Sequence, residues 1–484
     1  LSTDSVHTNE EKSFNKMPLL IVLISGAFVA ILNQTLLATA LPKIMADLQL
    51  EANTAQWLQS IFMLVNGIMI PVTAFLIEKF TTRKLFLTAM SLFALGTLVC
   101  SLAPSFSFLM VGRVLQASGA GIIIPLMQTI LFMIFPVEKR GTAMGMFGLV
   151  IAFAPAIGPT LSGWLVDQYP WRSLFYVILP IVILDIIFAY FLLRNVTERK
   201  DTKLDILSIL LSSIGFGGLL YGFSTAGNTG WASLQVAISL VIGAVGLALF
   251  IHRQSNLETP ILNFSVFRNA IFTVSTALGM IVFISMIGGA VILPLLMQNM
   301  LGYSALQSGL MLMPGGLVMG AMNPITGRLF DKFGARWLAI IGLTILVLST
   351  FAFTNLTADT SIIYLTIMHA FRMFGIAMVM MPVTTAGLNQ LPISLIPHGT
   401  AMNNTMRQVA GAMGTALLVS VMTNSAHPAE GLNGAIHGVN VSFIVAGCIA
   451  IAGLILSFFV KSKKQIDQGQ KKTTNQSTNQ TATE

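Results

Sequence analysis

LMVGRVLQASGAGIIIP (109–125), VEKRGTAM (137–144) and GLVIAFAPAIGPTLSGWL (148–165) read as two apolar helices joined by a short basic turn. One arginine, Arg113, is sunk in the first helix, and Gly and Pro crowd the second. An arginine in hydrocarbon is expensive, so it faces a protein interior or a water-filled path. Gly and Pro allow membrane helices to approach closely and bend, provided that neighbours satisfy the freed backbone groups. An enzyme core needs no such combination, whereas a moving helix bundle around a polar route does. The stretch points to a membrane transporter.

The composition extends this reading to the whole chain. Of 484 residues, 55% are hydrophobic and 9% charged, against about a quarter charged in soluble proteins. Mean hydropathy is +0.82. The apolar runs are continuous and about 20 residues long, as in spanning helices, without the alternation of a β-barrel. The first run, from Pro18 to Pro42, is too long and too polar-flanked for a cleaved signal peptide. Cys100 and Cys448 fall inside apolar runs, so neither a disulfide nor a metal site is expected.

Fourteen spans are predicted: 18–41, 54–77, 84–103, 106–134, 141–166, 173–193, 204–224, 233–252, 270–298, 305–329, 336–355, 361–388, 399–424 and 440–460. Residues 1–17 and 461–484 are polar tails, the second beginning with the basic KSKK. With both termini in the cytoplasm, only Lys43 and Arg172 lie outside, and Arg113, Arg372 and Arg407 lie within spans. The rest of the 26 Lys and Arg fall on the inner side, among them Arg199 and Lys200. That is the positive-inside pattern. The net charge of +8 therefore reports orientation in a membrane and not nucleic-acid binding. The leading Leu1 fits a literal translation of an alternative bacterial start codon.

The chain repeats itself. AFLIEKFTTRK (74–84) returns as GRLFDKFGARW (327–337), and RVLQASGAG (113–121) returns loosely as RMFGIAMVM (372–380). GTAM occurs at 141 and at 399. The offsets are 253 residues from Glu78 to Asp331, 259 from Arg113 to Arg372 and 258 from Gly141 to Gly399. Two six-helix bundles, 18–193 and 270–460, with two inserted helices and linkers in 194–269, account for all three. Paired halves place a substrate route at their interface, opened alternately to each side.

These motifs, with LNQTLLATALP (32–42), APAIGPTLSG (154–163), WRSLF (171–175) and LPLLMQNMLGYSALQSGLMLMP (293–314), resemble a known family. The chain is similar to major facilitator superfamily transporters of the fourteen-helix drug:proton antiporter family, and within it to the lincomycin-resistance-type multidrug exporters. The resemblance covers about residues 18–460. It implies an all-α fold of twelve core helices plus two, and export of drugs driven by the proton gradient in a bacterial cell membrane, by a monomer. Two departures stand out. Ala74, Glu78 and Thr81 replace the glycine, aspartate and glycine of the first loop motif, whereas Gly327, Asp331, Gly334 and Arg336 follow it. Asn33 stands where many of these antiporters carry a titrating aspartate, so the proton carrier is left unassigned.

Candidate residues follow from chemistry and depth. Glu78, Arg83, Arg140, Asp331 and Arg336 sit at helix ends, where charge pairs with a neighbouring terminus form a gate that breaks in the other state, unless these are plain solvated loops. Arg113 lies about 10 Å below the outer face and Asn33 about 13 Å, one turn-neighbourhood with Gln116. Pro155, Gly158, Pro159 and Gly163 form a close-packing motif in the fifth span. Asp185 is the only acid deep in a span, about 13 Å from Arg194 and 20 Å from Arg172. It is a candidate for coupling or charge recognition by default, though a hydrogen-bonded structural role stays open. His369, one turn before Arg372, is either a proton shuttle or a structural imidazole. Arg372, Arg407 and Gln408 are candidates to line the cavity. A second reading keeps the fold and exports an endogenous anion, with Arg113, Arg372 and Arg407 as counter-charges. A non-transporting receptor would need a folded soluble domain, which the short tails and loops do not supply. No phosphate-binding loop, HExxH or nucleophile elbow occurs, so no cofactor, metal or enzymatic activity is expected, and the partners are drugs, protons and the bilayer.

Overall fold

The computed structural model describes residues 16–196 and 205–460; almost all of the two tails, with Arg199 and Lys200, lies outside them. Among the described residues there are fourteen α-helices and no strand. The first six are α1 (Lys16–Leu48), α2 (Ala52–Lys79), α3 (Thr82–Ser101), α4 (Phe106–Ile134), α5 (Arg140–Gln168) and α6 (Ser173–Leu192). A pair follows, α7 (Ile206–Thr229) and α8 (Leu234–Asn256). The last six are α9 (Ala270–Leu295), α10 (Ala305–Phe333), α11 (Ala335–Phe351), α12 (Ile362–Leu388), α13 (Ile396–Asn424) and α14 (Gly431–Ser457).

Eleven of these helices are long and apolar enough to cross a membrane. The other three are α10, α11 and α13. α11 has only 17 residues, and α10 and α13 carry Asn323, Asp331, Asn403, Asn404, Arg407 and Gln408 along their length. Burial between neighbours tolerates these polar groups where lipid would not. The helices also outrun the apolar spans. α14 begins at Gly431, nine residues before the expected start at 440, and α1 runs on past Pro42 to Leu48. Hydropathy marks the part of a helix that lipid touches, not the helix.

Local chemistry sets several starts. Ser304 and Gln307 cap α10 reciprocally, at 3.1 and 2.9 Å, and Asn269 accepts from the amides of Ile271 and Phe272 to open α9. Gly334, at φ +80°, makes the turn between α10 and α11 that a side chain would strain. Proline inside α1, α2, α4, α5, α6, α10 and α12 does not end these helices, because packed neighbours hold them.

Helices α1–α6 pack on one another, and so do α9–α14. Two seams join the sets. Along the first, α5 lies against α10 for most of its length. At the second, α13 meets α2 and α4, and α7 packs on both α2 and α13. Trp57 of α2 stacks on Tyr221 of α7 at 5.7 Å, and Trp231, just after α7, donates to Ser420 Oγ of α13 at 2.8 Å. The inserted pair therefore spans the second seam. At one end Asp205 accepts from Arg253 Nε and Nη2 at 2.7 and 3.0 Å, closing the α7–α8 pair. Those bonds hold the Asp205 carboxyl down at about 2. α6 and α8 turn large apolar side chains outward, such as Leu184, Phe188, Phe191, Leu234, Val241 and Val245, the reverse of a water-soluble surface.

Candidate functional site

Arg113 is fully buried and is held within the first six helices. Its Nε donates to the Leu58 carbonyl and its Nη1 to Gln116 Oε1, both at 3.0 Å, and its guanidinium lies over the Phe62 ring at 4.2 Å. Gln116 Nε2 donates to Thr97 Oγ1 at 2.9 Å and reaches Asn33 Oδ1 at 3.5 Å. α1, α2, α3 and α4 thus meet at one polar knot, and the three residues expected at a shared depth are brought together.

Arg372 holds the corresponding place in the last six helices. Its Nη2 donates to the Ser285 carbonyl and, at 2.9 Å, to Ser285 Oγ, while its Nε reaches Thr350 Oγ1 at 3.3 Å. Its partners lie on α9 and α11, with the Phe443 ring of α14 at 5.9 Å. Of the three arginines named as counter-charges in the second reading, Arg113 and Arg372 are each engaged by oxygens of their own half. His369 is buried against Gly315 of α10, its Nδ1 without a partner among the described residues.

Asp185 stands apart from both knots. One carboxylate oxygen accepts from Ser25 Oγ of α1, and the other lies by Gly26 and Phe86 with no hydrogen-bond partner among the described residues. The residue is enclosed by α1, α3 and α6, inside the first six helices and away from both seams. Asn33 is two turns further along α1.

The seams converge on the end that carries the basic loops. Asp331 of α10 accepts from the Gly141 and Thr142 amides, each at 2.8 Å, and from Thr142 Oγ1 at 2.6 Å. It therefore caps the start of α5, where the helix dipole favours a carboxylate. Arg140 Nη1 crosses to Asn389 Oδ1 after α12 at 3.0 Å. Across the other seam Glu78 of α2 faces His398 Nε2 of α13 at 3.5 Å, and His398 Nδ1 accepts from the Asn263 amide at 3.3 Å. Thr129 and Thr400 hydroxyls meet at 2.9 Å, and Asn404 donates to Gln128 Oε1 at 2.6 Å. Arg83 departs from the gating expectation. Its side chain goes to the Tyr190 carbonyl and ring at the end of α6, a contact within one half. Arg336 is half-buried at the start of α11 and makes no hydrogen bond across a seam among the described residues.

The α5 motif divides. A Cβ on Gly158 would meet Thr35 Cβ of α1 at 2.9 Å, so close packing there is real. Pro159 faces Gly309 of α10, where an added Cβ would come to 3.8 Å of it, while Pro155 is exposed and both prolines leave α5 continuous. Gly163 has no atom within 4 Å of where a Cβ would stand, so it does not join the packing. The tight contacts of α5 instead run through Gly145, beside the Asn323 carbonyl of α10, and Gly148, whose carbonyl accepts from Asn323 Nδ2 at 2.8 Å.

Two sets of helices latched across two seams by related motifs are the architecture of a paired-half transporter. The family model for the Major Facilitator Superfamily matches residues 23–415. The chain belongs to this superfamily. It is 56% identical to an uncharacterized MFS-type transporter of Bacillus subtilis, YcnB, over 94% of this chain and 97% of the relative. It is 42% identical to the lincomycin resistance protein LmrB of the same organism, over the same shares of each. Among solved structures, the human organic anion transporter MFSD10 superposes with a TM-score of 0.66 at 15% identity, covering 92% of this chain and 99% of that one. That likeness is one of fold.

Within the superfamily fold, α13 supplies residues that sequence reading missed. His398 precedes GTAM as Arg140 does, at the same 258-residue offset, so the repeat itself carried the signal. Asn403, Asn404 and Gln128 gave no motif. Arg407 is buried on α13, its guanidinium 5.9 Å from the Phe283 ring of α9. Unlike Arg113 and Arg372, it has Nε and Nη2 both without a hydrogen-bond partner among the described residues. Gln408 is half-buried beside it.

Proposed function

We propose that this superfamily member is a secondary active exporter that moves hydrophobic or amphiphilic drugs out of a bacterial cell in exchange for protons. The observation that carries the reading is the 42% identity, along nearly the whole of both chains, with a lincomycin resistance protein. The latches supply a mechanism to go with it. α1–α6 and α9–α14 rock about the α5–α10 and α2–α13 seams, and the contacts of Asp331, Glu78, Arg140 and their partners close the basic end while the opposite end admits or releases cargo. All fourteen helices cross the inner membrane in this reading. Both termini are cytoplasmic, the latched end is the cytoplasmic one, and one chain suffices. Asp185, the only acid deep in a span, carries the proton, and α1 links its Ser25 partner to the knot at Asn33.

The test is drug uptake into inside-out vesicles under an imposed pH gradient, for the wild type and Asp185→Asn. The wild type accumulates drug when the lumen is acid, and the variant loses gradient-driven accumulation while it still exchanges drug across the membrane at equilibrium. If the gradient drives no uptake in the wild type, the antiport reading fails. If the variant accumulates drug normally, only the assignment of Asp185 fails.

A further inference from the structure

The three membrane arginines differ in one respect that transport by itself does not explain. Arg113 and Arg372 each have two nitrogens bound by oxygens of their own halves and one, Arg113 Nη2 or Arg372 Nη1, without a partner, whereas Arg407 makes no hydrogen bond among the described residues and buries both Nε and Nη2 without an acceptor. Asn403, one turn away on the same face of α13, is likewise buried with neither amide atom partnered. Buried polar groups are normally hydrogen-bonded, and a buried cation without an acceptor is costlier still.

Among the described residues, no acid is placed to neutralise this cation. On α2, α4, α7, α9, α12 and α14, the helices packed against α13, the only acid is Glu78. It faces His398, nine residues or about 13 Å along the helix from Arg407. α9 leaves room in front of the pair. A Cβ on Gly279 would meet only Asn403 Oδ1, at 3.6 Å, and Phe283, one turn on, covers a face of the guanidinium. From the other half, Gln128 of α4 reaches the next residue, Asn404, and its own Nε2 is buried without a partner.

The internal repeat sharpens the point. The 258-residue offset that relates Gly399 to Gly141 relates Asn403 to Gly145 and Arg407 to Leu149. At that place α5 uses glycine to press against the Asn323 backbone of α10, and the seam is filled by protein. At the repeated position α13 carries an amide and a guanidinium instead, beside Gly279 and Phe283 of α9 in its own half. The two helices thus differ in chemistry at this repeated position, glycine and leucine on α5 against amide and guanidinium on α13.

We propose that Arg407 and Asn403 form an anion-accepting subsite of the transport route, taking the carboxylate, or an equivalent monoanionic oxygen group, of an amphiphilic substrate. The guanidinium offers two donors in a fixed fork, Asn403 offers a third, and the Phe283 ring borders the apolar part of the cargo. The proposal rests on the exporter reading for the use of the site but not for its existence.

The experiment is a fluorescence titration of the purified protein, without any gradient, with a dansylated long-chain carboxylic acid and with its methyl ester. The wild type is expected to bind the acid about tenfold or more tighter than the ester. Arg407→Met is expected to weaken the acid by about ten- to a hundredfold and to leave the ester unchanged, the worth of a charge-assisted bond. Arg407→Lys recovers part of the preference. Gly279→Leu, which fills the space without touching the charge, weakens acid and ester together and serves if Arg407→Met does not fold. Equal binding of acid and ester by the wild type overturns the proposal, as does a parallel loss of both in Arg407→Met. Inorganic phosphate or chloride displacing the acid at equal concentration assigns the site to a free ion and overturns it too. A preserved acid preference in a protein that shows no gradient-driven efflux sinks the exporter reading and leaves the subsite standing.

Discussion

Arg113, Arg372 and Arg407 are the same residue, each buried within a helix of the bundle, and their surroundings give them different work. Arg113 joins four helices through Leu58, Gln116, Asn33 and Thr97. Such a network behaves as a unit, because removing one member strands the others away from water. Gln116→Leu leaves Arg113 Nη1 and Thr97 Oγ1 short of a partner, and is expected to destabilise the protein by about 1–3 kcal/mol. Gln408→Ala, at a half-buried position, is expected to stay within about 0.5 kcal/mol. Thermal unfolding of the two variants in detergent checks this, and equal melting temperatures would contradict the knot. The sequence made each polar residue in a span a candidate by its cost. It did not distinguish an arginine held by two acceptors from one with none, because most of the acceptors, such as the Leu58 and Ser285 carbonyls, lie on other helices.

At the scale of the element, α5 shows how glycine position sets the seam. A Cβ on Gly145 would stand 2.5 Å from the Asn323 carbonyl and 3.1 Å from Pro324 Cα of α10, and neither backbone atom can yield by rotamer change. Gly163, on the same helix, has open space. Gly145→Leu is therefore expected to force the halves apart at the latched end, costing about 1–3 kcal/mol or more and most of the transport rate, whereas Gly163→Leu retains both. Uptake into vesicles normalised to the folded protein measures the contrast. Composition flagged α5 as a close-packing helix. The choice among its glycines depends on which face meets α10, and a helix with apolar residues all round does not reveal its rotation.

At the scale of the molecule, the two seams are built unequally. α5 and α10 meet directly, while α7 bridges α2 and α13 beyond the reach of their polar contacts. If the halves rock, groups that touch across a seam must part in every cycle. Thr129 and Thr400 hydroxyls are 2.9 Å apart from opposite halves. The double variant Thr129→Cys with Thr400→Cys, in a chain whose Cys100 and Cys448 are replaced by Ser, is expected to form a disulfide on mild oxidation. A disulfide holds its Cα atoms within about 7 Å, so transport should stop and return on reduction. Full transport by the cross-linked protein would rule out rocking at this seam.

The sequence by itself determined that the chain is a bundle of long apolar helices, that it contains a repeated unit, and that it is related to a transporter superfamily. Those properties are written locally, in continuous hydropathy, in motif spacing and in the charge of the loops. Hydropathy lost accuracy where protein and not lipid surrounds a helix, as in α10, α11 and α13, and where a helix extends past its apolar run, as in α14. Only the tertiary structure decided which polar residues meet. It put Asp331 on the start of α5, matched Glu78 with His398 and Arg140 with Asn389, sent Arg83 to α6, and left Arg407 Nε and Nη2 beside Phe283 without an acceptor among the described residues. Each of these depends on helix rotation and on partners far away in the chain. A one-dimensional pattern of apolar residues, nearly uniform around each helix, does not encode that rotation.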